Sequence, residues 1–110
     1  MASTSIFQQA KELTTNVSNI LAMQDIDSLN ITEREVLATI KSRIIDTRLE
    51  VRDYEYAETR AEQQQHGAAA IKRLRVLQTD ILKLSEYGIF SAVDVAQLSA
   101  QAEQIIDQLA

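Results

Sequence analysis

At 110 residues the chain has the length of one domain. Its net charge of −5 disfavours a general binder of nucleic acid or anionic membrane, since both would repel it at long range. Cysteine is absent, which excludes a disulfide framework, a thiolate zinc site and a cysteine nucleophile.

Proline is absent too and glycine occurs twice. A chain rich in Ala, Leu, Ile, Gln, Glu and Arg with so little punctuation is built for helices. The opening MASTSIFQQAKELTTNV lacks the basic start and continuous apolar core of a secretory signal. No apolar run approaches the ~18 residues of a membrane span. The expectation is a soluble, cytoplasmic protein folded as a single domain over residues 1–110.

Ser3, Thr4 and Ser5 are N-cap candidates for a first helix. After them Ile6, Ala10, Leu13, Val17 and Ile20 repeat at alternating spacings of four and three, the seam of a packed helix. The helix should fade near Met23, because Asp25, Asp27, Ser28 and Asn30 compete for backbone hydrogen bonds in non-helical conformations. Thr32-Glu33-Arg34-Glu35 reads as the capping box of a second helix, with Ile31 and Val36 as its hydrophobic staple.

Leu37, Ile40, Ile44, Thr47, Val51 and Tyr54 form the seam of this second helix. Ala38, Ile45, Leu49 and Tyr56 form another stripe, roughly 150° around the axis. A helix wet on one side needs one apolar stripe, so two imply partners on two sides. Ile45, Leu49 and Tyr56 are therefore candidate interface residues.

The stretch QQQHGAAA, residues 63–70, reads as a polar hairpin tip. Extending the second-helix seam past Gly67 lands on Lys72, Arg75 and Thr79, whereas apolar periodicity restarts at Ala70, Leu74, Leu77, Ile81 and Leu84. A single helix from Glu33 to Glu86 would also run ~80 Å, too long for a compact domain of this mass. The third helix should stop in a Schellman motif, with Gly88 at C′ and Ile89 beside Leu84. Ser91 to Asp94 resembles a capping box, with Phe90 and Val95 placed as staple, and Val95, Leu98, Ala102, Ile105 and Leu109 carry the last seam. The expected fold is all-α: helices near 4–24, 33–65, 68–87 and 92–109 in a four-helix antiparallel up-down bundle with a long second helix.

Chemistry is sparse. Glu58, Glu62 and His66 fall at i, i+4 and i+8, a metal half-site on paper. With one histidine and no Glu-x-x-His motif, the chain cannot assemble a ferritin-like carboxylate site, and a surface histidine near a helix end is the expectation. Asp46, Glu50 and Asp53 cluster within ~60° on the second helix, and EVRDYEYAE holds both Glu-x-x-Asp and Glu-x-x-Glu. All-α magnesium-dependent nucleotide pyrophosphohydrolases use such pairs on two converging helices. Here both pairs sit on one helix and point apart, so a small magnesium enzyme of that kind is the alternative reading only.

Lys72, Arg75 and Lys83 form a candidate basic docking patch on the third helix, and no aromatic residues interleave with them as single-strand binding would want. A serine triad and a phosphate-cradling glycine loop are both missing. The expected function is a non-catalytic helical interaction or adaptor protein, self-associating, that presents a helical surface to a protein partner. No catalytic residue, metal, cofactor, nucleic acid or membrane partner is expected.

Overall fold

The computed structural model describes residues 5–110. Its order is α1 (Ile6–Ala22), a 3₁₀ turn (Ile26–Ser28), α2 (Ile31–Glu55), α3 (Arg60–Glu86) and α4 (Ala92–Leu109). Each helix packs on two others: α1 on α2 and α4, α3 on α2 and α4. The result is the expected all-α antiparallel four-helix bundle, extending 47 × 28 × 17 Å. No helix among the described residues is long and apolar enough to cross a membrane.

Most of each seam does what its spacing requires, with Ile6, Ile20, Tyr54 and Val95 only partly buried and Leu21 taking the place of Ile20 in the α1 core. Ala10, Leu13, Val17 and Leu21 of α1 are buried with Leu37, Ile40, Ile44 and Val51 of α2 in one core. Ala70, Leu74, Leu77, Ile81 and Leu84 of α3 join them, as do Leu98, Ala102, Ile105 and Leu109 of α4. Ser5 caps α1 by accepting the Gln8 amide at 3.0 Å. The other cap candidates, Ser3 and Thr4, lie outside the described residues. The outer helices meet at the bundle end, where Gln9 and Gln108 exchange amide hydrogen bonds at 3.0 and 2.7 Å.

The α3–α4 connection follows the sequence closely. Tyr87 is the C-cap and Gly88 sits at φ 77°, the left-handed position that favours glycine. The Gly88 amide donates to the Ser85 carbonyl and the Ile89 amide to the Leu84 carbonyl, which together make a Schellman motif. Ser91 and Asp94 then exchange side-chain and backbone bonds in a capping box.

Two boundaries differ from expectation. The box that opens α2 is Asn30 with Glu33, two residues earlier than Thr32 with Glu35. The 3₁₀ turn favours the earlier start, because Arg34 folds back to donate from Nε to the Ile26 carbonyl at 3.0 Å. Ile31 is consequently inside the helix and 74% exposed, so it staples nothing.

The larger correction concerns QQQHGAAA, which is no hairpin tip. It lies wholly inside α3, and the chain turns earlier, through residues 56–59. Thr59 is the N-cap of α3 and accepts the Glu62 amide at 3.1 Å. The phase jump is real, but α2 stops at Glu55 and never needs its seam carried onward. Read back from Ala70, the α3 seam includes Gly67, which is buried rather than exposed at a tip. α2 is therefore shorter than expected, and α3, at 27 residues, is the longest helix. Thr59→Ala removes the cap and is expected to cost about 1 kcal/mol, readable as a shift in the urea midpoint at constant slope.

Candidate functional site

α2 presents its second stripe to solvent. Ile45 is 59% exposed, Leu49 40% and Tyr56 69%, while the seam on the opposite side of the helix is buried. Ala38 and Ser42 continue the outer stripe toward the helix start and are exposed as well. Tyr56 is partly engaged at the helix end, meeting the Phe7 ring edge-on with centroids 6.5 Å apart. Lys11 lies over the same Phe7 ring, its Nζ 5.3 Å from the centroid.

The three residues of the basic patch are all exposed on α3 and have different neighbours. Arg75 turns toward α4, where it pairs with Glu103 and hydrogen-bonds Gln78 at 3.2 Å. Hydrogen bonds from Gln78 and Arg75, together with the Arg75 charge, hold the Glu103 carboxyl below its ordinary value. Lys72 lines a groove of about 490 Å³ between α2 and α3, with Arg43, Thr47, Ala69, Arg73 and Val76. Lys83 borders a separate depression with Glu35, Thr39 and Asp80.

Polar links across α2 explain where its other charges go. Arg43 donates to the buried Asp80 of α3 at 2.6 Å. Arg48 sends Nε and Nη2 to Thr14 Oγ1 of α1, at 3.0 and 2.8 Å. Thr14 in turn donates to the Ala10 carbonyl at 2.8 Å, so its hydroxyl is satisfied in both directions. Asp46 sits 3.8 Å from Arg73, both half-exposed.

His66 is the sharpest departure from the sequence reading. Glu58 falls in the turn, so Glu58, Glu62 and His66 do not share a helix face. His66 instead reaches across the hairpin to Glu50, Nδ1 to Oε1 at 3.3 Å. Asp53 lies beside them, and the ligand atoms of Glu50, Asp53 and His66 are within 4.8 Å of one another. Zinc held by such donors at ~2.0–2.2 Å would want them about 3.4 Å apart, which the Glu50–His66 pair matches. That same pair already satisfies itself as an ion pair or hydrogen bond.

The second acidic pair joins no such group. Glu55 accepts the Phe7 amide at 3.5 Å and Glu58 is beyond the helix. Two carboxylate pairs converging from two helices, as magnesium pyrophosphohydrolases use, are not assembled among the described residues. Sequence reasoning missed the Glu50–His66 and Arg43–Asp80 links because it placed the hairpin too late. The Thr59-Arg60-Ala61-Glu62 signature of a helix start was the signal that would have found them. No protein-family model, no curated protein and no solved structure matches the chain.

Proposed function

We propose that this chain is a non-catalytic helical adaptor that associates with itself through the outer face of α2 and presents a helical surface to a protein partner. The supporting observation is the exposed pair Ile45 and Leu49, one turn apart in the middle of a helix whose other side is fully committed to the core. Two branched aliphatic side chains one turn apart make a contiguous apolar patch on the helix, which a second helix would cover. The charged residues support a non-catalytic role, since Arg43, Arg48 and Arg75 hold neighbouring helices together. A chain without cysteine suits a cytoplasmic setting.

Light scattering coupled to gel filtration tests the reading. Wild type is expected to elute with a mass above that of the 12.3 kDa chain at micromolar concentration. Ile45→Glu with Leu49→Glu should return it to a monomer with its helicity intact and its stability changed by no more than ~0.5 kcal/mol per site. A wild-type monomer at every concentration would refute self-association.

A further inference from the structure

The outer face of α2 has a direction. Ala38, Ser42, Ile45, Leu49, Arg52 and Tyr56 follow one another at spacings of four and three, the period of a two-stranded coil seam. On the flank toward α1 stand Lys41 and Arg48; on the flank toward α3 stand Asp46 and Asp53. Between Lys41 and Asp53 one edge of the seam is basic and the other acidic; Glu55, next on the Lys41–Arg48 edge, is turned to the Phe7 amide.

Symmetry then decides how two such faces meet. When two copies pair with helices parallel, the basic flank of each faces the acidic flank of the other. When they pair antiparallel, basic faces basic and acidic faces acidic. Resting on the self-association proposed above, we infer that two copies join as a parallel, in-register α2–α2 dimer. In coiled coils a flank residue meets the opposite flank of its neighbour five positions on, so Lys41 faces the second copy's Asp46, and Arg48 the second copy's Asp53.

The charges are able to take these partners. Among the described residues Lys41 has no ion pair, and Asp46 has only the 3.8 Å contact with Arg73. Arg48 spends two of its five N–H donors on Thr14, leaving three. Asp53 touches Arg52 of its own helix at 3.4 Å, with both side chains about half exposed. Each α2 is already ordered by its own bundle, so pairing carries no cost of helix nucleation. The small residues Ala38 and Ser42 let the paired helices approach closely at one end. Free coiled coils with Ile and Leu in this order lean toward larger assemblies, so stoichiometry is measured alongside orientation.

The absence of cysteine makes the test clean. Ala38→Cys, Ile45→Cys and Arg52→Cys, each in the full chain, place a thiol at successive heptad positions of the seam. In a parallel in-register dimer every residue of the seam lies beside its own copy, so all three variants should oxidise to covalent dimers. In an antiparallel dimer at most one can, because a neighbouring heptad position would be ~21 Å from its copy. A second arm uses charge. Lys41→Glu and Asp46→Lys should each weaken the dimer roughly fivefold, and the double variant, or a mixture of the two single variants, should restore it.

Cross-linking at one position or none, or a tighter dimer with Lys41→Glu, would overturn the parallel arrangement and leave self-association standing. A mass above that of a dimer would overturn the stoichiometry. A monomer at all concentrations would remove both this inference and the reading beneath it.

Discussion

Gly67→Leu is expected to destabilise the protein by about 3 kcal/mol, or about 15 °C in melting temperature. Gly67 lies on the buried seam of α3, and its missing side chain leaves room for Tyr54 of α2. A Cβ built there would stand 3.2 Å from both Cδ2 and Cε2 of the Tyr54 ring, with the Leu109 carbonyl of α4 at 3.6 Å. Three helices converge on one Cα, so a branched side chain has no direction in which to go.

Gly67→Ala should behave differently. It gains about 1 kcal/mol of helix propensity against a ring shift of a few tenths of an ångström, and should stay within ~1 kcal/mol of wild type. Tyr54→Ala in the Gly67→Leu background should recover part of the loss, a coupling that a double-mutant cycle measures. At a solvated hairpin tip Gly67→Leu would be close to neutral, so a loss under ~0.5 kcal/mol would remove this account of the site.

Leu74→Ala is expected to cost about 3 kcal/mol, within the 2–5 kcal/mol span of buried Leu truncations. Leu74 is fully buried on the same seam, two turns beyond Gly67, and is among the largest side chains in the core. For a domain whose total stability is ~5–15 kcal/mol this is a large fraction. The urea midpoint should fall with an unchanged slope. Leu82 on the same helix is more than half exposed, and Leu82→Ala should move the midpoint by no more than ~0.5 kcal/mol. Equal losses at the two positions would mean that burial in α3 is not what the seam describes.

The sequence was most legible where side chain and backbone give the same instruction. Gly88 has one economical use after a helix seam, and Ser91 with Asp94 has another, so the α3–α4 corner was readable to the residue. The seams of α1 and α4 were readable because each helix has one apolar stripe and one wet side. At the start of α2 two overlapping signatures, Asn30 to Glu33 and Thr32 to Glu35, compete within six residues. Only the tertiary contact from Arg34 to the Ile26 carbonyl favours the first.

At QQQHGAAA the change of phase is real but falls earlier than the stretch suggests: Gly67 is the smallest member of the α3 seam, and Thr59, a weaker-looking mark, carries the true boundary. The outer stripe of α2 was legible as a second periodicity. The cross-hairpin links of His66 and Asp80 were not, because they depend on where the chain folds back, which Thr59 marks and the two residues themselves do not.

The Gln9–Gln108 amide pair bears on how the chain is wired. It brings the beginning of the first helix beside the end of the last, so a short Gly/Ser linker from Ala110 back to Ser5 would span the gap. New ends opened between Ala57 and Glu58 would fall in a turn outside every helix. A circular permutant cut there keeps all four helices whole and all four helix contacts in place, and should fold to the same bundle. Sequence order would then be one of several threadings that this ring of helices accepts.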